Sequence, residues 1–188
     1  MTGFKHALAS CAIACALGSF GGAAIAQEQT VQAEQAPQID YAGFSELTRE
    51  VATYREGRLL EREEFFARAS KEGALILDTR SASAFEMGHI KGAVNLPFSD
   101  FTEGKLAQVI GDNADRPIFI YCNNNFTDNV APVASKLAPL ALNIPTFINL
   151  YGYGYKNVWE LEGAMPTAEV AWVSPVFDQL AANTSARD

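Results

Sequence analysis

The stretch RPIFIYCNNNFTDNVAPVASKL, residues 116–137, places a cysteine between a short apolar run and a segment with helix-like spacing. Residues 117–121 (PIFIY) predict a strand inside a sheet, because a short apolar run bounded by polar residues fits a strand that is buried on both faces. Residues 127–140 predict a helix. Cys122 then stands at the carboxyl end of a strand, where open α/β sheets place their ligand sites.

Strand and helix patterns alternate on both sides of this stretch. From Phe44 an amphipathic helix is predicted that stops at Gly57, with Ser45 as its N-cap. The other predicted helices are 61–73, 81–89, 101–110 and 155–161, and the other predicted strands are 74–78, 93–97 and 144–150. Such alternation predicts an α/β fold with a mainly parallel central sheet, flanked by helices on both faces.

The N-terminal residues have the pattern of a secretory signal peptide over residues 1–26. Lys5 precedes an apolar, small-residue stretch, and the small-x-small site 24–26 ends it. We therefore expect secretion to the periplasm or the extracellular space, with no membrane association after cleavage. A membrane anchor and lipidation at Cys11 are the alternatives.

The remaining chain divides into three segments by composition. Residues 27–42 are polar and Gln-rich, and they predict a linker because they cannot bury enough apolar surface to order themselves. Residues 43–163 predict one domain that includes an N-terminal helix. Residues 164–188 form an extension whose packing the pattern leaves open.

Charge and cysteine content restrict the function classes. The chain has 22 acidic and 14 basic residues, a net charge of −8, which disfavours nucleic acid and anionic membranes as partners. Cys11 and Cys15 leave with the signal peptide, so Cys122 has no partner for an internal disulfide and is either a buried small hydrophobe or a reactive thiol. One cysteine and one histidine after cleavage are too few for a metal site, and no cofactor is predicted.

The surroundings of Cys122 favour the reactive thiol. We expect the backbone N–H groups of residues 123–128, together with the N-terminus of the following helix, to converge on the sulfur. Such an environment stabilises the thiolate and lowers the thiol pKa. Asn123, Asn124 and Asn125 tolerate turn and left-handed conformations, whereas an inert cysteine normally lies among apolar neighbours.

Four segments together resemble the rhodanese superfamily over about residues 58–163. They are LILDTRSASAFEMGHIKGAVNLP (75–97), PIFIYC (117–122), the six-residue loop CNNNFT (122–127) and FINLYGYGYKNVWEL (147–161). The resemblance implies a rhodanese-like fold and a catalytic Cys122, with Asn123, Asn124, Asn125, Phe126 and Thr127 as the active-site loop. It also implies supporting roles for Asp78, Arg80 and His89: Asp78 orders backbone amides near the loop, Arg80 forms an ion pair, and His89 orders a turn.

The family resemblance implies a sulfur-transfer mechanism. The cysteine thiolate takes a sulfane sulfur from a donor, forms a persulfide and passes the sulfur to a nucleophilic acceptor. Loop amides would hold the negative persulfide. The expected partners are a persulfide or small sulfur compound as donor and a thiol, which a protein could carry, as acceptor.

The loop departs from the pattern of many thiosulfate-using relatives, which carry cationic residues there. It has no charge from Cys122 to Thr127, and Asp128, expected in a first helical turn, follows it. A missing cation removes charge-assisted hydrogen bonds to a dianion, each worth about 1.5–3 kcal/mol, so thiosulfate activity should be low.

Two rival enzyme functions each require a particular residue near the cysteine. A phosphatase of related fold needs an arginine closing the loop, where this chain has Asp128. A cysteine hydrolase needs a histidine base, and only His89 is available. The open alternative is a non-enzymatic module that binds a partner or senses oxidants through Cys122. Residues 151–155 (YGYGY) indicate a turn with packed tyrosines rather than an aromatic binding rim.

Overall fold

The computed structural model describes residues 38–176. The strands are β1 (Leu59–Leu60), β2 (Leu75–Asp78), β3 (His89–Ile90), β4 (Val94–Asn95), β5 (Ile118–Tyr121), β6 (Val158–Leu161) and β7 (Trp172–Val173). The α-helices are α1 (Tyr41–Arg55), α2 (Arg62–Ala69), α3 (Ala82–Met87), α4 (Glu103–Ile110) and α5 (Asn143–Gly152). Short 3-10 turns occupy Glu56–Arg58, Phe98–Asp100, Asn123–Asn125, Ala138–Leu140 and Thr167–Glu169.

The central sheet has five parallel strands in the order β1-β6-β5-β2-β4. Strand β5 lies in the middle, and all four of its residues are buried, as its unbroken apolar sequence predicts. The carboxyl ends of β5, β2 and β6 therefore meet at one edge of the sheet. The predicted parallel α/β architecture is confirmed.

Helices cover both faces of this sheet, as predicted. Successive residues of β5 point to opposite faces. Ile118 and Ile120 belong to a core shared with α1, α4 and α5, while Phe119 and Tyr121 belong to a core shared with α2. The sheet is thus buried between two apolar clusters.

Helix α1 begins earlier than its periodicity predicts. Asp40 is the N-cap, and its side chain accepts a hydrogen bond from the Gly43 amide. Ser45 was the wrong cap: it lies inside the helix, and its hydroxyl donates to the Tyr41 carbonyl. The Asp40 carboxylate satisfies a free N–H of the first turn, and Ser45 falls one turn inside the helix that begins there. The last two residues of the predicted 27–42 linker are consequently helical.

The predicted helix over 127–140 is wrong. Apart from a 3-10 turn at Ala138–Leu140, the segment has no regular structure. Pro132 falls in its middle, where it removes a backbone donor and clashes with the preceding turn of a helix. Asn129 adopts a left-handed conformation with φ of 49°, which also interrupts a right-handed helix. No helix therefore follows the cysteine loop directly.

The next two elements have the reverse of their predicted types. The predicted strand 144–150 is helix α5, and the predicted helix 155–161 contains strand β6. Pro145 is compatible with this helix because it lies in the first turn, where the N–H that a proline lacks would be unpaired anyway. Tertiary context overrides propensity here, because β6 has to pair with β1 and β5.

The described part of the C-terminal extension packs against the domain. Met165 forms an isolated parallel bridge with Phe126, and β7 pairs antiparallel with β3. In this way the extension contacts the loop that follows β5.

Tyr151 and Gly152 are the last residues of α5, and residues 153–155 form the turn to β6, with Gly154 at φ of 96°. Tyr151 and Tyr155 are buried. The turn interpretation is thus confirmed, although the turn joins a helix to a strand rather than a strand to a helix. It lies at the amino end of β6, opposite the edge that carries Cys122.

The predicted signal peptide over residues 1–26, the alternative of lipidation at Cys11 and residues 177–188 lie outside the described residues. Within residues 38–176, no helix combines the length and apolar character needed to cross a membrane.

Candidate active site

Cys122 lies at the carboxyl end of the central strand, as predicted. It is 1% exposed and borders an open pocket of about 470 Å³. The two walls of the pocket come from the start of α5 and from the end of β6 with the turn that follows it, and Ala138 and Ala141 contribute to its rim. The thiol is therefore a buried group at the floor of a cavity.

The amides around the sulfur are not the ones that the loop sequence predicts. Of the N–H groups of residues 123–128, that of Asn124 acts to lower the pKa of the Cys122 thiol, whereas those of Asn125 and Phe126 donate to the carbonyls of Cys122 and Asn123. The other two N–H groups belong to Leu142 and Asn143 at the N-terminus of α5. A helix N-terminus does lie near the thiol, but this helix begins 21 residues further along the chain.

The direction of the thiol pKa shift is opposite to the prediction. Burial raises the pKa of Cys122, because desolvation penalises the thiolate. The N–H groups of Asn143, Asn124 and Leu142 lower the pKa, and the negative charge of Glu160 raises it further. The resting thiol is therefore held protonated more strongly than an ordinary cysteine, while amides that can stabilise an anion are already in place.

Asn123 and Asn124 fasten the loop to the irregular segment after it. The side-chain Nδ2 of Asn123 donates to the Ala134 carbonyl at 2.7 Å. Asn124 makes two bonds to Lys136, donating to its carbonyl at 2.8 Å and accepting from its N–H at 3.1 Å. Neither asparagine is left-handed; both lie in the 3-10 turn. These side chains hold residues 134–136 beside the cysteine loop.

Asn125 fixes the backbone of the cysteine itself. Its Oδ1 accepts from the Cys122 N–H at 2.9 Å, and its Nδ2 donates to the carbonyls of Leu161 and Gly163 at 2.8 and 3.0 Å. Asn125 is 5% exposed. This buried amide thus ties the end of β5 to the end of β6.

The last two loop residues have structural roles. Phe126 is buried and packs edge to face against Tyr121 and Trp172. The Thr127 N–H donates to the Met165 carbonyl, and Thr127 is exposed. Both residues anchor the end of the loop to the C-terminal extension.

Asp78 and Arg80 form a buried ion pair, as expected for Arg80. The Asp78 carboxylate accepts hydrogen bonds from the guanidinium of Arg80, from the backbone N–H of Arg80 and from the hydroxyl of Tyr121. Arg80 also donates to the carbonyls of Gly88 and Pro132. Asp78 contacts Tyr121 rather than the amides of the cysteine loop, so its link to the site runs through the residue before Cys122.

His89 and Asp128 lie away from the pocket wall. His89 stacks on Phe85 with ring centroids 3.6 Å apart, and its Nδ1 bonds the Phe85 carbonyl at 2.7 Å. Asp128 accepts from the amide and the hydroxyl of Thr167 at 2.8 and 3.0 Å. It is not in a helical turn, and the Thr167 amide lowers the pKa of its carboxyl. Both residues support local structure.

The sequence interpretation missed the polar and charged residues Arg55, Asn143, Glu160 and Glu162 of the pocket lining. Glu160 on β6 is 5% exposed and pairs with Arg55 at the end of α1. Asn143 donates from Nδ2 to Glu160 Oε1 at 3.2 Å and to Asn125 Oδ1 at 3.1 Å. If residues 158–161 (VWEL) had been recognised as a buried strand, a single glutamate within it would have indicated a charged residue at the site.

Among residues 38–176, no group of three or more His, Cys, Asp or Glu side chains is arranged to hold a metal ion.

The model of the rhodanese-like domain family matches residues 61–168, and the chain belongs to this family. This membership supports a sulfur-related module. Helix α1, including Arg55, precedes the matched region.

Similar proteins share only part of their length with this chain. A stretch of 68 residues is 37% identical to the uncharacterized protein YqhL of Bacillus subtilis, and it covers 36% of this chain and 49% of YqhL. The chain thus spans about half the length of this curated relative. The crystal structure of the BH2092 protein from Bacillus halodurans has a TM-score of 0.43 at 18% identity and covers 64% of this chain and 76% of its own. The solution structure of the rhodanese-like domain from the Anabaena Alr3790 protein has a TM-score of 0.40 at 21% identity and covers 57% and 69%.

Proposed function

We propose that this protein takes up sulfane sulfur as a persulfide on Cys122 and passes it to a thiol or another nucleophile. The observation that carries the proposal is the position of Cys122, at the end of the central strand of a rhodanese-like domain and on the lining of a pocket, where the backbone N–H groups of Asn143, Asn124 and Leu142 act to lower the pKa of its thiol. Such amides stabilise a negative sulfur without any charged side chain.

The transfer consists of two exchange steps at sulfur. The Cys122 thiolate attacks the outer sulfur of a donor persulfide, the donor S–S bond breaks, and the donor leaves as a thiol after taking up the proton. An acceptor thiolate then attacks the outer sulfur of the Cys122 persulfide, and the cysteine thiolate is the leaving group. No external oxidant or reductant is needed.

The charges of the pocket favour a persulfide donor over thiosulfate. Glu160 places a carboxylate near the sulfur, and Arg55 is already paired with that carboxylate. A dianionic donor would meet this negative charge without a free cation from the loop. We therefore propose low-molecular-weight or protein persulfides as donors, a thiol as acceptor, and weak activity with thiosulfate.

A second candidate function is a non-enzymatic module that binds a partner or senses oxidants. Its partner-binding form is favoured by the 1% exposure of Cys122 and by the burial that raises the pKa of its thiol, since both slow the attack of a thiolate on a donor and the oxidation of the thiol as well. Under either function, we propose that the N-terminal leader directs the protein to the periplasm or the extracellular space.

Intact-mass spectrometry before and after exposure to donors tests the proposal. The purified protein and the Cys122→Ser variant are each treated with thiosulfate and with a glutathione persulfide, and then with cyanide. We expect the persulfide to add one sulfur, about 32 Da, that cyanide removes and that the serine variant lacks. If no donor adds sulfur to Cys122, the binding or sensing module replaces the transfer proposal.

A further inference from the structure

Cys122 and Glu160 lie on the same face of the central sheet. Ile120 of β5 pairs with Glu160 of β6, and Cys122 follows Ile120 by two residues in an extended conformation. Because side chains alternate along a strand, all three share one face, and the strand spacing puts the Cα atoms of Cys122 and Glu160 about 8 Å apart. Glu160 is 5% exposed, so solvent screens its charge only weakly at the thiol.

Arg55 brings a positive charge to Glu160 from the last turn of α1. Its Nε donates to Glu160 Oε2, and its Nη2 donates to Oε1 at 2.8 Å. The Asn143 Nδ2 also donates to Oε1, at 3.2 Å. A guanidinium that binds both oxygens of a carboxylate fixes its orientation as well as offsetting its charge. The carboxylate near the thiol is therefore held by a helix that precedes the rhodanese-like match.

Arg55 is also the one cation facing the thiol among the described residues that line the pocket. The charged side chains of this lining are Arg55 from α1, Glu160 from β6 and Glu162 from the turn after β6. The residues that line it from β1, the cysteine loop, the 3-10 turn before α5 and the start of α5 are uncharged. Burial raises the pKa of Cys122 most, and the Glu160 charge raises it further. Without Arg55, two carboxylates would oppose a thiolate with no positive charge to offset them.

We propose that Arg55 is a positioning residue of the active site, which holds the Glu160 carboxylate in place and offsets its charge so that Cys122 can ionise. This inference rests on the proposed function, since it assigns a residue that controls the thiol on which sulfur is carried. Loss of the thiol proton to solvent precedes every attack by the sulfur. Helix α1 thereby supplies the positive charge that the cysteine loop, which is neutral from Cys122 to Thr127, lacks.

The experiment measures the rate of Cys122 alkylation by iodoacetamide as a function of pH, because this rate follows the thiolate fraction. Iodoacetamide is uncharged, so the charges of the pocket do not attract or repel it. The variants are Arg55→Gln, Arg55→Lys, Glu160→Gln and the double variant Arg55→Gln/Glu160→Gln. Thiols ionise well above the pH range in which carboxyl groups titrate, so the charge of Glu160 is present wherever the residue is retained.

Arg68→Gln is the matched control for the loss of one cation. The side chain of Arg68 is 37% exposed, against 36% for Arg55, and it too pairs with a glutamate. Its guanidinium lies over the ring of Trp159, which precedes Glu160 on β6 and therefore points to the opposite face of the sheet. The control thus removes an equally exposed charge from the face that does not carry the thiol.

At pH 8 we expect alkylation about fourfold slower in Arg55→Gln and about fourfold faster in Glu160→Gln than in the wild type. The midpoint of the pH profile should rise in the first variant and fall in the second. Arg55→Lys should recover most of the rate because it keeps the charge. The double variant should return to within about twofold of the wild type, since it removes both charges together. Arg68→Gln should match the wild type.

Opposite effects of the two single variants separate this inference from a purely structural ion pair. If the pair only stabilised the fold, either substitution would loosen the pocket and expose the thiol, so neither would slow alkylation. Circular dichroism establishes that each variant is folded. If Arg55→Gln is not, the double variant compared with Glu160→Gln decides the question, because loss of Arg55 should there undo the faster alkylation.

Sulfur loading of the wild type by glutathione persulfide, measured by intact mass, keeps the two proposals distinct. If the wild type loads sulfur but loss of Arg55 leaves alkylation unchanged or faster, the inference fails and the proposed function stands. If the wild type loads no sulfur, the proposed function fails, and the alkylation rates still decide whether Arg55 controls the ionisation of Cys122.

Discussion

Two of the five ion pairs among the described residues involve a buried carboxylate, and these two differ in how far their side chains are shielded from solvent. In the first, the side chains of Arg80 and Asp78 are 2% and 0% exposed. In the second, the side chains of Arg55 and Glu160 are 36% and 7% exposed, and the neighbouring Asn143 has an unpaired oxygen. The first pair completes its own hydrogen bonds and those of nearby carbonyls, so it stabilises the fold. The second pair lines the pocket beside Cys122 and is partly open to solvent, so it is placed to influence the site more than the fold.

The sharpest test of this difference is Asp78→Ala. Removing one partner of a fully buried pair leaves the Arg80 guanidinium without its counter-charge. We expect the free energy of unfolding to fall by about 3–5 kcal/mol, measured by urea denaturation. Glu86→Ala, at an exposed position of α3, serves as the control and should change stability by less than about 0.5 kcal/mol. An equally small effect of Asp78→Ala would remove the structural role that we assign to the pair.

Glu160→Gln should act on the thiol more than on the fold. We expect a loss of about 1.5 kcal/mol in unfolding free energy, because the amide still accepts hydrogen bonds and Arg55 reaches solvent. Burial is the main cause of the raised pKa of Cys122, and the Glu160 charge adds to it. Removing that charge should lower the thiol pKa, so iodoacetamide should alkylate Cys122 faster at neutral pH. An unchanged or slower rate of alkylation would show that the Glu160 charge does not raise the pKa of the thiol.

The unfolding free energy should depend on pH in the way expected for a buried thiol. Since burial raises the pKa of Cys122 in the folded state, the native protein favours the protonated form. This contribution is fully present below the pKa of the unfolded thiol and is lost as the pH rises through the higher folded value. The unfolding free energy of the wild type should therefore fall with alkaline pH relative to Cys122→Ser. Parallel pH profiles for the two proteins would show that the thiol pKa is not raised.

Asn124→Ala should have the smallest effect. The side chain bonds both backbone groups of Lys136 at an exposed site, so its loss should cost about 0.5–1 kcal/mol locally. We expect faster amide hydrogen exchange at Lys136, measured by mass spectrometry, with global stability almost unchanged. Asn113→Ala, in the loop after α4, is the matched control, because Asn113 Oδ1 also accepts from an exposed backbone amide. Unchanged exchange at Lys136 would show that Asn124 does not fasten this segment.

The sequence predicted those features that depend on local patterns. Strand β5 and Cys122 at its end followed from an apolar run and the polar loop after it, and β2 followed in the same way. The elements from residue 127 onward were wrong for physical reasons, since Pro132 excludes a helix and Pro145 begins one. The pocket wall was missed because it depends on those elements.

The direction of the thiol pKa could not be obtained from the loop alone. Its burial is caused by segments distant in sequence, among them the start of α5 and the end of β6. Glu160 on β6 is 38 residues after the cysteine in sequence, but it pairs with Ile120 in the sheet, so its negative charge lies close enough to act on the thiol. Only the three-dimensional arrangement brings these groups together.

The most direct test of the account is a single-turnover transfer that uses a persulfide donor with an isotopically labelled outer sulfur. The protein is loaded, freed of donor and mixed with a small thiol, and the label is followed by mass spectrometry on both Cys122 and the acceptor. The account predicts that the label appears on Cys122 first and then leaves it for the acceptor thiol, and that Cys122→Ser carries none. Label that never reaches Cys122, or that stays there in the presence of the thiol, would contradict sulfur transfer by this cysteine.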